Sequence, residues 1–398
     1  MINEAMKKLG VSRSTIRELF EYGRRLKEER GEENVFDYSL GNPNIPAHES
    51  VNSGIKNLIS ELSDCELHGY TSAEGDIDAR KAISDDLFRR FAFESSYENV
   101  YMTSGAAGAL VSTLCGITSK SETVIVLSPY FPEYEVFVNQ SGANFKAVPC
   151  KNGSFKPDIE ALEAAIDSSV AALIINSPNN PTGAVYSEDD IKAISSLLTK
   201  KSLEFGKPIY IISDEPYREL VYDGIKAPFI PNFYDDTIVC YSFSKSLSIP
   251  GERIGYVLVS PKARDSYLVM RAVVGAGRSL GYVCAPSLLQ KLIPHCVSHT
   301  SDLKIYEENR NILYNALTSY GFESVYPSGA FYLFLKSPIE SSVDFSEAAK
   351  KYGLLLVPGD DFGCKGYVRI AYCQKKDMIL RSLPYFEMLA KEFGTTRG

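Results

Sequence analysis

The chain has 398 residues, 44% of them hydrophobic and 23% charged, a composition that fits a globular protein with two domains or one large and one small lobe. Its 42 basic and 50 acidic residues leave a net charge of −8, which excludes the basic footprint of a nucleic-acid-binding protein. No apolar run of about 18 residues exists to span a membrane, and eight scattered cysteines without a CxxC pair, with only four histidines, argue against a zinc site or a disulfide framework.

The N-terminus lacks the apolar core and small-residue cleavage site of a signal peptide, so the cytoplasm is the expected location. The first 30 residues have helical periodicity, with Ile16, Leu19, Phe20 and Leu26 on a common side. They read as an amphipathic arm. Within it LGVSRSTIRELFEY looks superficially like the turn and recognition helix of a helix-turn-helix, but the stretch is too short for a complete DNA-binding domain. Next, NVFDYSLGNPNIPA predicts a short strand, Phe36 to Leu40, and a Gly/Pro-rich loop of the kind that commonly lines sites. Gly41 in that loop marks either a tight turn or a close backbone approach.

After a polar loop containing Tyr70, the segment Tyr101 to Ile117 reads as a strand end, a small-residue turn and a helix start. Free N–H groups and the helix dipole make Ser104, Gly105 and Ala106 a candidate anion site, although close helix–sheet packing explains such a junction equally well. The strand TVIVL leads into SPYFPEY, where Tyr130 and Phe131 offer flat rings that serve as core or as a stacking platform. An apolar run, Ala171 to Ile175, ends in a Pro/Asn/Gly turn with Asn180. KPIYIISDEPYREL repeats the arrangement: strand Ile209 to Ile212, then Asp214, then Tyr217. A carboxylate at the carboxyl end of a buried strand is where an open α/β sheet puts its ligand contacts.

The most informative stretch is SFSKSLSIPGERIG, Ser242 to Gly255. A lysine that forms a Schiff base needs a cramped, partly desolvated site that lowers its amine pKa, with anion-binding groups alongside for a phosphorylated cofactor. Lys245, flanked by Ser242, Ser244 and Arg253, has that setting. Helical and strand-like stretches alternate from about residue 50 to 285, predicting an α/β fold with a mostly parallel sheet between helices. After Pro286 the pattern becomes a long helix, about Ser287 to Tyr320, the strand GAFYLFLK, a helix near Phe345 to Tyr352, and the strand YVRIAYC. The expected division is a large domain, 45–285, and a smaller α+β domain built from 1–44 and 286–398. Arg369, in an apolar strand of that smaller part, requires a carboxylate partner, and its planar fork suits a bidentate grip.

These motifs, in this order and over nearly the whole chain, resemble the class I/II aminotransferases of the fold-type I pyridoxal-phosphate (PLP) enzymes. The resemblance implies that Lys245 carries PLP as a Schiff base, that Asp214 pairs with the protonated pyridine nitrogen, and that Tyr217 and Asn180 bond the ring's phenolic oxygen. An acid at the pyridine nitrogen keeps the ring electron-accepting, which is the chemistry the cofactor needs. The same resemblance puts the phosphate at Ser104, Gly105, Ala106, Ser242, Ser244 and Arg253, with Tyr70 reaching it from the neighbouring subunit of a homodimer. It puts Phe131 on the ring, with Tyr130 as the alternative, and Gly41, Asn180 and Arg369 at the substrate α-carboxylate. Arg278 lies in roughly the stretch where dicarboxylate-specific relatives carry a second arginine. The expected activity is amino transfer from an L-amino acid, aspartate or a similar one foremost, to a 2-oxo acid. The alternatives are an aromatic or neutral donor, or a β-C–S lyase.

Overall fold

The computed structural model describes residues 2–11 and 15–395. Among these residues lie twelve strands, beginning with β1 (Phe36–Asp37), β2 (Val100–Thr103), β3 (Thr123–Ser128), β4 (Asn144–Pro149), β5 (Val170–Asn176) and β6 (Tyr210–Asp214). They continue with β7 (Thr237–Ser242), β8 (Gly255–Val259), β9 (Tyr332–Lys336), β10 (Leu354–Leu355), β11 (Val357–Pro358) and β12 (Tyr367–Ala371).

Seven strands form one sheet in the order β2-β8-β7-β6-β5-β3-β4. The strands β4, β3, β5, β6 and β7 are mutually parallel, whereas β8 runs antiparallel to both β2 and β7. Both faces are covered, which is why β5 and β7 are buried along their whole length and read as near-continuous apolar runs. Alternate residues feed different cores: Ala172, Ile174 and Ile212 join one cluster with the helix Gly105–Ile117, while Leu173, Ile175 and Ile211 join another with the helix Glu188–Phe205. The register pairs Asn176 with Asp214 and Asp214 with Cys240, so the carboxyl ends of β5, β6 and β7 lie side by side.

A three-stranded antiparallel sheet, β11-β12-β9, and a parallel pair, β1-β10, occupy the other part of the molecule. Phe36 and Tyr38 share one core with Leu313, Phe331, Leu333, Ile370 and Phe386, so chain near the N-terminus packs onto chain near the C-terminus. Leu19 packs with Val357 and Phe362, and Leu26 with Leu355. No helix of the described residues is long and apolar enough to cross a membrane.

Several elements differ from the sequence expectation. The strand expected over Phe36 to Leu40 pairs only as Phe36–Asp37. Phe20, expected on the buried face of the N-terminal helix, is exposed, while Leu19 and Leu26 are buried. The turn of the helix-turn-helix-like stretch, residues 12–14, lies outside the described residues. The helix expected near Phe345 to Tyr352 runs Ser342–Lys350, because Ser341 caps it by accepting the Asp344 N–H at 3.1 Å. The long helix expected over Ser287 to Tyr320 is two helices, Ser287–Cys296 and Lys304–Ser319. In the break the Ser301 N–H donates to the Ser246 carbonyl at 2.8 Å, so a backbone contact outside the helix competes for this polar stretch. The break brings the chain against the turn that carries Lys245.

Candidate active site

β7 ends at Ser242, whose hydroxyl caps a single helical turn, Phe243–Ser246, by accepting the Ser244 N–H at 3.2 Å. This turn holds Lys245 partly buried at the carboxyl edge of the sheet. Its Nζ donates to the Gly41 carbonyl at 2.7 Å and lies 5.4 Å from the centre of the Phe331 ring. Burial pushes the Lys245 amine down to about 8, and the charges of Arg253 and Arg369 act in the same direction. A Cβ on Gly41 would stand 2.1 Å from the Tyr332 hydroxyl oxygen, and Gly41 is not among the positive-φ glycines. Space, and not a left-handed turn, therefore requires glycine there.

Asp214 is the last residue of β6. Its carbonyl accepts from Asn176 Nδ2 at 2.9 Å, and its Oδ2 accepts from the Tyr134 hydroxyl at 2.5 Å. Oδ1 is buried with no hydrogen-bond partner. Burial raises the carboxyl to about 7, the Tyr134 bond opposing this and the neighbouring Glu215 charge adding to it. Glu215 faces Arg218 and Ser213, so its own charge is compensated. Tyr217, three residues on, shares a 2.8 Å hydrogen bond with the Tyr332 hydroxyl, and burial holds its own hydroxyl well above the usual tyrosine range.

Ser104 precedes the helix Gly105–Ile117 and makes no side-chain cap, so the first N–H groups of that helix have no cap from it. Gly105 has φ +74°, and a Cβ there would stand 2.9 Å from Arg253 Nη2. Thus Arg253 and the helix start face each other across a gap that only glycine leaves open. Ser242 is engaged within its own turn, donating to Ser244 Oγ at 2.8 Å. Ala106 lies half-buried in the first turn of the helix. Of the two aromatic candidates, Phe131 packs its edge against Tyr134, ring centres 5.7 Å apart, and so lies on the Asp214 side. Tyr130 instead packs on Phe145.

Arg369, in β12, is 2% exposed. Its Nη1 donates to Asn180 Oδ1 at 3.0 Å, its Nη2 donates to the Ser39 carbonyl, and its Nε has no partner. The rings of Tyr332 and Phe362 lie 4.7 and 4.9 Å from the guanidinium. Among the described residues no carboxylate pairs with it, although an unpaired buried cation is costly. Asn180 is itself fixed by its N–H, which donates to Asn176 Oδ1 at 2.8 Å.

Lys245, Gly41 and Arg369 therefore meet around Tyr332, and Asp214, Tyr217 and Asn180 are joined to them through Tyr332 and Asn176. Two candidates stand apart. Tyr70 is 97% exposed, and Arg278 is exposed in the last turn of the helix Ser266–Ser279. Sequence reasoning missed Tyr134, Tyr332, Asn176 and Ser39. Asn176 had a usable signal, a polar residue closing an apolar run directly before the Asn180 turn, whereas Tyr134 and Tyr332 are two of 25 tyrosines with no local mark.

The orphaned Asp214 oxygen decides which cofactor fits. A buried, half-satisfied carboxylate suits a cationic donor at Oδ1, and a protonated pyridine nitrogen is one; Lys245 would take an aldehyde of the same molecule, and the helix start at Gly105 a phosphate. Pyridoxal phosphate carries all three groups, so fold and site together define a fold-type I PLP enzyme. Residues 33–383 match the family described as "Aminotransferase class I and II", and the chain belongs to it and is a PLP-dependent aminotransferase. It is 30% identical over 367 residues to a probable N-acetyl-LL-diaminopimelate aminotransferase of Bacillus subtilis, with 89% of each chain covered. It is 27% identical over 358 residues to an aspartate aminotransferase of Thermotoga maritima, covering 89% of this chain and 91% of the relative. A solved amino transferase from Eubacterium rectale superposes with a TM-score of 0.97 at 51% identity, covering 99% of both chains.

Proposed function

We propose that this aminotransferase takes L-amino acids bearing a second, distal carboxylate, aspartate or a similar one, and passes the amino group to a 2-oxo acid. The observation that carries the substrate side is Arg369: a buried guanidinium with no carboxylate partner among the described residues is suited to hold the substrate's α-carboxylate. Asn180, bonded to Arg369, and the Gly41 backbone complete that end. Arg278, with its side chain free at the surface, supports a distal contact made across a subunit interface, and both curated relatives above are named for donors with a second carboxylate.

PLP, when bound, would supply an electron-accepting ring that takes up the charge left when the substrate Cα loses its proton. Ser104, Gly105, Ala106, Ser242, Ser244 and Arg253 would hold its phosphate, Phe131 its ring face, Asn180 and Tyr217 its phenolic oxygen, and Asp214 its pyridine nitrogen. The Lys245 amine, lowered to about 8, would act as the general base that removes the substrate Cα proton. Arg369 grips a part of the substrate that does not react and so fixes the Cα–H bond toward Lys245. In this reading the chain divides into a large part, 45–285, and a small part made of 1–44 and 286–398, whose approach excludes water. The near-complete exposure of Tyr70 supports a homodimer in which that hydroxyl serves the opposite site; the cytoplasm is the proposed location.

The test is a spectrum of the yellow holoenzyme during addition of single amino acids without an oxo acid. Stoichiometric bleaching with one equivalent of oxo acid, at lower concentrations of aspartate than of tyrosine or alanine, is the expected result. Preference for tyrosine or alanine would overturn the acidic-donor reading. Continuous release of ammonia with the colour retained would mark C–S lyase chemistry. Lys245→Ala should abolish turnover.

A further inference from the structure

We infer that Tyr134 is a positioning residue that acts through Asp214 to keep the cofactor's ring nitrogen protonated; the inference rests on the reading of Asp214 given above. Tyr134 lies in the first turn of the helix Glu133–Ser141, 2% exposed, and its hydroxyl donates to Asp214 Oδ2 at 2.5 Å. The other oxygen, Oδ1, has no partner. Tyr134 thus removes the equivalence of the two oxygens: one is tied to the helix, and the other alone is free for a donor in the site. The same side chain touches Phe131, so one residue locates both the proposed stacking ring and the carboxylate at its edge.

The surroundings leave this task to Tyr134. Glu215 follows in the chain, Cys240 is the register partner on β7, Tyr217 lies three residues on, and Asn176 on β5 reaches only the Asp214 backbone. Glu215 is held by Arg218 and Ser213. Among the described residues, Tyr134 is the one donor to the Asp214 carboxylate. Without it, burial alone would decide the protonation of Asp214 and favour the neutral acid, which cannot hold a proton on the facing nitrogen by charge. A second-sphere donor that fixes a ligand's orientation and charge is the same device that tunes metal-ligating histidines.

The experiment reconstitutes wild type, Tyr134→Phe, Asp214→Asn and the double variant with PLP labelled with nitrogen-15 on the ring, and follows the nitrogen chemical shift against pH together with PLP affinity and steady-state kinetics. Wild type should hold the protonated signal from about pH 6 to pH 9, well above the range of free pyridines. In Tyr134→Phe, which keeps the buried ring, the nitrogen should lose its proton within that range, PLP affinity should fall roughly tenfold, the scale of one charged hydrogen bond, and kcat should fall more than KM rises. In the Asp214→Asn background the same change should have almost no further effect on the signal, because the two residues act as one unit. A wild-type signal in Tyr134→Phe, or a separate and additive loss in the double variant, overturns the role of Tyr134. Absence of the protonated signal from wild type, or its persistence in Asp214→Asn, overturns instead the reading of Asp214 itself.

Discussion

Burial brings the Lys245 amine down to about 8 from the 10.5 of an ordinary lysine, which favours its neutral form. Only the neutral amine condenses with an aldehyde. The rate at which apoenzyme takes up PLP should therefore rise with pH, pass half its maximum near pH 8 and level off above it, whereas for an unperturbed lysine the midpoint would lie near 10.5; stopped-flow absorbance of the Schiff base measures it. Asp214 is perturbed the other way, folded value about 7 against 3.8. A raised folded pKa means that the folded apoenzyme holds a proton the unfolded chain releases. Its contribution to stability is complete below about pH 4 and lost as pH rises to 7, so this group should make apoenzyme melt lower at pH 7 than at pH 5. Asp214→Asn should flatten that part of the melting profile, as calorimetry across pH would reveal. Gly41 carries a steric prediction: alanine there meets the Tyr332 hydroxyl, displacing the ring that supports Arg369 and Tyr217. Gly41→Ala should raise the amino-acid KM at least about tenfold while the enzyme still binds PLP and turns yellow.

At the scale of elements, the sheet was readable because its strands are buried on both sides and therefore carry nearly unbroken apolar runs, as in Ala171 to Ile175. Lys245, Asp214 and Asn180 were readable for a related reason: each is a polar residue just beyond such a run. The break at 297–303 was hidden, since nothing in its local sequence reports the distant Ser246 carbonyl that holds it open. Tyr134 and Tyr332 were hidden likewise, because their partners lie 80 and 115 residues away. The helix start at Gly105 gives the test at this scale. Gly105→Ala adds a Cβ against Arg253 and demands a positive φ from an L residue. PLP affinity should fall at least roughly tenfold, with little change in KM for the amino acid among enzyme that retains cofactor.

For the whole molecule, the proposed assembly turns on Tyr70, which is exposed in its own chain and is proposed to serve its neighbour's site. Mixed dimers decide the matter. Subunits carrying Lys245→Ala and subunits carrying Tyr70→Ala should each be impaired alone; refolded together in equal amounts they should regain activity equivalent to about a quarter of the wild-type sites, because only the hybrid pairs one intact lysine with one intact tyrosine. Failure to recover any activity above the separate variants would remove the shared site.

Arg369 has a practical consequence for anyone assaying the enzyme. In a chain of net charge −8 it is a buried cation, and its charge, like that of Arg253, pushes the Lys245 amine down. A guanidinium that accepts any carboxylate does not distinguish an amino acid's from a buffer's. If Arg369 holds the substrate carboxylate as proposed, acetate or citrate should compete with the amino acid, and a KM measured in a carboxylate buffer should fall as the buffer is diluted out.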